Sequence, residues 1–211
     1  MSTLPMPAND PGIAGRRIRI VGSGPLARTF AEDLADYGAE IIDPNPGSLI
    51  SDLDALVFAP WDAAVMKAVA LAELRDDEFD AAWQQTMDSA VAACTEARSS
   101  FRNGRGCIVL TFPTTAFTGG AGYAHWAAAA EGVHILAKSA ARQWGPDGIA
   151  VNSLAVAPAL VLADPVAAGP ISIATPARPE ASAGPVLAFL CSEAAHNLAG
   201  QALTVDGGSW M

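Results

Sequence analysis

The sequence predicts a doubly wound α/β domain, in which helices cover both faces of a mostly parallel sheet. Short apolar runs alternate with longer stretches of helical periodicity, as expected when each strand is followed by a crossover helix. The apolar runs lack the polar alternation of a half-exposed strand, so they fit strands buried on both faces. With 211 residues and no internal repeat, the chain fits one domain. We assign residues 1–14 to a flexible N-terminus and residues 15–211 to this domain.

The individual elements follow from the apolar runs and the residues that interrupt them. Six strands are predicted at residues 17–21, 39–42, 53–58, 107–112, 149–156 and 202–205. Four helices are predicted between them, at residues 25–37, 76–101, 123–144 and 179–192. Gly38 ends the first helix, because glycine readily adopts the left-handed conformation that follows a helical C-terminus. In the second helix an apolar stripe at spacings of three or four consists of Phe79, Trp83, Met87, Val91 and Cys94.

The composition excludes several classes of protein. Acidic residues outnumber basic residues by 22 to 12, so a chain with a net charge of −10 would be repelled by the phosphates of nucleic acid. With 51% hydrophobic and 16% charged residues, the chain is too apolar for an acidic disordered protein. No stretch has the pattern of a secretory signal or the length of a bilayer span, and the three cysteines lack metal-ligand spacing. We therefore expect a cytoplasmic protein with reduced thiols, no metal and no membrane partner.

The turn after the first predicted strand has the pattern of a dinucleotide-binding turn. Gly22, Gly24 and Ala27 fit G-x-G-x-x-A between a strand and a helix, and Asp43 follows at the end of the second strand. In such a site the glycines let the backbone approach a pyrophosphate, and the acid accepts hydrogen bonds from the ribose. Asp43 would favour NAD over NADP, because its carboxylate repels a 2′-phosphate. The alternative is a tight strand-to-helix turn that holds no nucleotide, so the predicted cofactor is none or NAD.

From Trp83 onward the sequence resembles the short-chain dehydrogenase/reductase family. Four stretches carry the resemblance: GRGCIVL at 104–110, AKSAARQWGPDGIAVN at 137–152, LAFLCSE at 187–193 and LAGQALTVDGG at 198–208. The last of these is the most specific. Together with the first strand, turn and helix, the resemblance covers nearly the whole chain and implies a Rossmann-like sheet.

The residues that carry catalysis in this family are replaced in this chain. The family uses a Tyr as general acid/base, a Lys four residues later that lowers the Tyr pKa, and a Ser that orients the substrate carbonyl. Counting along the resemblance places Trp126 at the Tyr position, Ala130 at the Lys position and Pro113 at the Ser position. The helical Asn of the family falls near Asp88. Since the chain has only two lysines and two tyrosines, and neither lysine follows a Tyr by four residues, we predict no catalytic residue.

Two further departures concern the cofactor site of the family. A Gly-rich stretch after the third strand is replaced by the sequence from Phe58 to Trp61, which places a bulky ring where the family has close backbone. The residues between Asp43 and the third strand are too few for the usual edge strand and its helix, since a parallel crossover needs a dozen or more residues. We therefore expect a shortened sheet that lacks this edge strand.

Three functions follow from these observations. The first is a non-catalytic subunit that assembles with an active dehydrogenase of the same family, of the kind that acts on hydroxyacyl-CoA-type substrates. The resemblance implies a homo- or hetero-oligomer formed through the helices at 76–101 and 123–144. The second is an NAD-dependent oxidoreductase with a rearranged active site, either alone or within a complex.

The third function is a non-redox enzyme or small-molecule binder that uses the old substrate cleft. Its candidate residues are Asp88, Tyr123 and His125. Because residues two apart do not share a helix face, we expect Tyr123 and His125 to have turn or solvent roles. His134 and His196 are expected at the helix surface or partly buried, and Trp126 is expected to serve packing.

Overall fold

A computed structural model of the protein describes residues 11–42, 50–164 and 182–208. Six strands form one sheet in the order β2-β1-β3-β4-β5-β6, and every neighbouring pair is parallel. The strands are β1 (Arg17–Val21), β2 (Glu40–Ile42), β3 (Ala55–Phe58), β4 (Gly106–Pro113), β5 (Ile149–Val156) and β6 (Ala202–Val205). The helices are α1 (Pro25–Asp36), α2 (Asp76–Ser100), α3 (Thr115–Thr118), α4 (Ala124–Trp144) and α5 (Gly184–Leu190).

The predicted doubly wound α/β architecture is confirmed. Every residue of β3, β4 and β5 is buried, as expected for central strands covered by helices on both faces. The strand β2 lies at one edge of the sheet and β6 at the other. Among the described residues no strand lies between β2, which ends at Ile42, and β3, which begins at Ala55, and the predicted loss of an edge strand stays a prediction because residues 43–49 lie outside the described residues.

The element bounds differ from the predicted ones mainly at the two ends of the domain. The last helix covers Gly184–Leu190 rather than 179–192, and residues 179–181 lie outside the described residues. Ile13, within the terminus predicted to be flexible, is fully buried in the core. Its carbonyl accepts a hydrogen bond from the backbone N–H of Arg16 at 3.0 Å, so the folded domain begins before residue 15.

The long helix α2 packs on the domain with its small residues and turns large apolar residues outward. Its buried side chains include Ala82, Ala90 and Cys94, whereas Phe79, Trp83 and Val91 are 37%, 40% and 48% exposed. A Cβ at Gly132 of α4 would lie 2.9 Å from the Met87 sulfur and 3.1 Å from the Trp83 ring. The lack of a side chain at this position therefore lets the two helices approach closely. Only Cys94 of the predicted apolar stripe is fully buried.

The three cysteines are free and buried. Burial raises the pKa of the Cys94 thiol to about 12 and that of Cys107 to about 11, and it also raises the pKa of Cys191. Within the described ranges, no helix combines the length and the apolar character needed to cross a membrane.

Candidate functional site

The Gly-rich turn after β1 lies directly against the chain that leaves β3. A Cβ at Gly22, where φ is +147°, would lie 2.0 Å from the carbonyl oxygen of Ala59. A Cβ at Gly24 would lie 3.0 Å from the carbonyl oxygen of Trp61 and 2.9 Å from the Cβ of Asp62. Both glycines are therefore required by contact with the protein's own backbone and side chains. Ala27, the last residue of the motif, is buried beside this turn.

The chain that covers the turn runs over residues 59–69, which we call the cleft segment. It lies across the carboxyl edge of the sheet and is hydrogen-bonded along its length. The Ala59 N–H donates to the Val21 carbonyl at 2.8 Å, and the Val69 N–H donates to the Gly122 carbonyl at 2.8 Å. Between these points the cleft segment closes the space from the turn after β1 to the start of α4.

Trp61 anchors the cleft segment in the core. Its side chain is 2% exposed, and its indole Nε1 donates to the Thr111 carbonyl of β4 at 2.6 Å. The Thr111 hydroxyl in turn donates to the Phe58 carbonyl at 2.8 Å, which links β4 to the end of β3. The predicted bulky ring after the third strand is therefore present and fills the space above these two strands.

Asp62 brings a negative charge to the Gly-rich turn. Its carboxyl carbon lies 3.1 Å from the position of a Cβ on Gly24, and its Oδ1 accepts a hydrogen bond from the Ala64 N–H at 2.8 Å. A carboxylate held at this point would repel a pyrophosphate. In a dinucleotide-binding turn the same place is open to the phosphates.

A cavity of about 120 Å³ lies at this edge among the described residues. Ligand pockets are typically about 300–1,000 Å³, so this cavity is small even for a compact metabolite. The residues around the turn, as arranged here, do not fit an NAD(P) pyrophosphate, because the cleft segment takes the place above Gly22 and Gly24. Asp43, the predicted ribose-binding acid, lies outside the described residues.

The three residues that the sequence resemblance assigns to the family's catalytic positions are buried side chains without a group that titrates. Pro113 is the buried last residue of β4, Ala130 is fully buried on α4, and Trp126 is 9% exposed and lines the 120 Å³ cavity. The predicted packing role of Trp126 agrees with this burial. Asp88 is exposed on α2, and the residues of this helix that line the cavity are Gln85, Thr86 and Ser89.

Tyr123 and His125 are buried, contrary to the expected turn or solvent roles. Tyr123 is 1% exposed and precedes α4, and His125 is 4% exposed in its first turn. Burial lowers the pKa of His125, partly offset by Glu78 and by a hydrogen bond to the Lys67 backbone. Neither residue lines the cavity with Thr86 and Trp126. The residues proposed for a non-redox site are therefore not brought together.

The remaining histidines each face a glutamate three residues earlier on the chain. His134 Nδ1 lies 3.1 Å from Glu131, and His196 Nδ1 lies 3.7 Å from Glu193. His134 is buried and His196 is half-buried, so the surface expectation is wrong for His134. In the part of the chain that the structure covers, no cluster of three or more His, Cys, Asp or Glu side chains could hold a metal ion.

Comparisons with known proteins extend the fold assignment to a family. A family model described as enoyl-(acyl carrier protein) reductase matches residues 48–209. The cis-4-hydroxycyclohexanecarboxylate dehydrogenase of Sinomonas cyclohexanicum is 32% identical over 186 residues, which cover 80% of this chain and 74% of that protein. The meso-2,3-butanediol dehydrogenase of Serratia marcescens is 30% identical over 203 residues, covering 90% of this chain and 79% of that protein.

Solved structures show the same fold at lower identity. A gluconate 5-dehydrogenase from Burkholderia cenocepacia, crystallised in complex with NADP and tartrate, has a TM-score of 0.73 and 20% identity, with 95% of this chain and 97% of that chain covered. A short-chain dehydrogenase/reductase from Serratia marcescens has a TM-score of 0.68 and 21% identity, with 92% and 97% covered. The family match and the two dehydrogenase relatives agree with the motifs at 104–110, 137–152 and 198–208. The chain belongs to the short-chain dehydrogenase/reductase family.

Proposed function

We propose that this protein is a non-catalytic subunit that assembles with an active dehydrogenase of its own family. The observation that carries the proposal is the set of side chains at the family's proton-transfer positions. Pro113, Trp126 and Ala130 have no group that titrates, and all three are buried. A scaffold that keeps its sheet and helices while losing these groups retains the means to associate with another chain.

The cleft segment supports the same proposal. Trp61 and Asp62 occupy the space above the Gly-rich turn, which in this fold receives the cofactor. A subunit that does not turn over substrate has no need for this space to stay open. The buried free thiols fit a reducing compartment, and we place the complex in the cytoplasm.

The outward face of α2 and α4 is the surface through which we expect assembly. Phe79, Trp83 and Val91 on α2 and Ile135 on α4 are between 37% and 50% exposed. Four large apolar side chains on two packed helices exceed what a monomeric surface needs, and such patches typically mark protein interfaces. The partner that fits this face is the corresponding helix pair of a related chain, since isologous helix pairs bury each other's apolar faces.

Native purification from the source organism tests the proposal. We expect native mass spectrometry to show a complex of this chain with a family member that contains an intact Tyr-x-x-x-Lys pair. The isolated chain should show no oxidation or reduction of NAD(P), and the complex should show it. A pure homo-oligomer without any associated dehydrogenase would overturn the proposal.

A pair of surface variants tests the interface separately. Trp83→Glu places a charge on the proposed face, and Leu71→Glu places the same charge on a side chain that is 74% exposed and lies before α2. We expect Trp83→Glu to lower the oligomeric mass in sedimentation velocity while Leu71→Glu leaves it unchanged. Equal masses for both variants and the unmodified protein would exclude this face.

A second candidate function is an NAD-dependent oxidoreductase with a rearranged active site. It is favoured by two relatives that are named dehydrogenases. Calorimetric titration with NAD and NADH separates the candidates. Binding well below about 1 mM would favour the oxidoreductase, whereas the subunit proposal expects none at this concentration.

A further inference from the structure

A second concave site lies along the C-terminal half of α4 and shares no lining residue with the cavity beside the cleft segment. It is a groove of about 620 Å³ between the C-terminal half of α4 and the chain that enters β6. This volume is within the range of about 300–1,000 Å³ that is usual for ligand sites. The argument uses six of its lining residues, which are Phe117, His134, Lys138, Arg142, Gly200 and Gln201.

The groove places two cationic side chains, Lys138 and Arg142, together in an acidic protein. His134, Lys138 and Arg142 follow one another at intervals of four residues, so they share one face of α4 and all border the groove. Neither Lys138 nor Arg142 forms an ion pair among the described residues. Two like charges one turn apart are unfavourable for a helix by about 0.2–0.5 kcal/mol. A bound anion would offset the repulsion between Lys138 and Arg142. The effect is local, since the chain as a whole has a net charge of −10.

His134 adds a buried group whose hydrogen-bonding capacity is not used. Its side chain is 9% exposed, and its ring centroid lies 5.0 Å from that of Phe112 and 5.3 Å from that of Phe117. Glu131 holds Nδ1 at 3.1 Å, whereas Nε2 is buried with no hydrogen-bond partner in the described parts of the chain. A buried polar atom left in this way costs about 1–3 kcal/mol, so it points to a ligand that completes it.

The opposite wall of the groove is held in place by its own hydrogen bonds. Asn152 is buried in β5, and its side chain donates to the Leu198 carbonyl at 2.9 Å and accepts from the Gln201 N–H at 3.0 Å. Gly200 has φ +68°, and a Cβ there would lie 3.5 Å from both the Ala141 Cβ and the Lys138 Cα. A Cβ at this position would be in ordinary van der Waals contact with α4, and the positive φ is the reason that glycine is favoured there.

We propose that this groove binds a small organic oxyanion, with its phosphate or carboxylate group on Lys138 and Arg142. Arginine and lysine are the side chains that bind such groups most strongly. Because the His134 Nδ1–H donates to Glu131, Nε2 is left as an acceptor, and a hydroxyl group of the ligand would donate to it. The apolar part of the ligand packs against the ring of Phe117. This site shares no residue with the cleft, and the proposal does not depend on the subunit function.

Titration with inorganic phosphate and with succinate tests the proposal and distinguishes the two anion types. The test variant is Lys138→Gln/Arg142→Gln, in which both substituted side chains are exposed. The matched control is Lys67→Gln/Arg105→Gln, which removes the only other lysine and an exposed arginine away from the groove. We expect saturable calorimetric binding of at least one probe, weakened about tenfold or more in the test variant and unchanged in the control.

The histidine ring signals in NMR spectra give a second readout. Since the chain has three histidines, the His134 signals should move with the same dissociation constant as the calorimetric titration while the His125 signals stay in place. Absence of saturable binding by either probe up to about 20 mM, or equal weakening in both variants, would refute the site. A test variant that changes the oligomeric mass with unaltered anion affinity would show an interface between chains and would also overturn the proposal.

Discussion

Replacing Trp61 by alanine is the most direct test of how the cleft segment contributes to the fold. Truncating a fully buried Trp to Ala costs about 3–5 kcal/mol, because the transferred apolar surface and the cavity left behind both count. The 2.6 Å hydrogen bond to the Thr111 carbonyl adds about 1 kcal/mol. We therefore expect Trp61→Ala to lower the free energy of unfolding by about 4–6 kcal/mol, against a total of about 5–15 kcal/mol for an ordinary domain.

Urea denaturation followed by far-UV circular dichroism measures this change without depending on tryptophan fluorescence. All variants are compared at one protein concentration, since assembly stabilises folded chains by mass action. Trp61→Phe keeps most of the buried surface and loses the hydrogen bond, so we expect it to cost about 1–2 kcal/mol. It also provides a folded variant if Trp61→Ala is too unstable to purify.

Trp144→Ala is the matched control for this measurement. Trp144 is half-buried at the end of α4, and the Arg98 guanidinium lies over its ring, 5.8 Å from the ring centroid. We expect its truncation to cost less than about 2 kcal/mol. A Trp61→Ala variant within about 1 kcal/mol of the unmodified protein, or equal to Trp144→Ala, would show that the cleft segment is not packed as described.

Three further predictions follow from single residues. Gly22→Ala should lower the thermal midpoint of unfolding sharply, because the new Cβ would lie 2.0 Å from a carbonyl oxygen. Gly119→Ala has no atom within 4 Å of the new Cβ, so it should lower the midpoint only by the backbone strain of an alanine at φ +74°. Burial lowers the pKa of His125, so the unfolded chain takes up a proton first as the pH falls below about 6.5. Stability should then fall as the pH is lowered below about 6.5, and His125→Gln should reduce that loss. Burial raises the pKa of the Cys94 thiol to about 12 and shields all three cysteines, so a thiol reagent at about pH 8 should label none in the native protein and three after unfolding.

The sequence was sufficient to predict the sheet and most helices, because their patterns are local. The runs at β1, β5 and β6 are bounded by turn residues and occur where predicted, and α4 begins within one residue of its predicted start. The turn at Gly22 and Gly24 was also placed correctly. Its neighbours were not predictable, because the contacts with Ala59 and Asp62 join parts of the chain that have no shared periodicity.

The errors at the site have the same physical origin. Turn or solvent roles are predicted for Tyr123 and His125 because no neighbouring residue in the sequence indicates that they are buried. The cleft segment that lies beside them is distant along the chain. The position of the family's Asn near Asp88 stays a prediction, because a count along the sequence does not fix which side chains of a helix face a cavity. Asp88 is exposed, and Gln85 and Ser89 of the same helix line the cavity.

The cleft segment also changes how the carboxyl edge of the sheet responds to its surroundings. A dissociable ligand stabilises a protein by mass action, so its contribution rises and falls with the ligand's concentration. Trp61 is covalently attached, and its packing on β4 contributes the same free energy at any dilution and any metabolite level. Closing this cleft is thus a unimolecular event, whose rate is independent of the concentration of any second molecule.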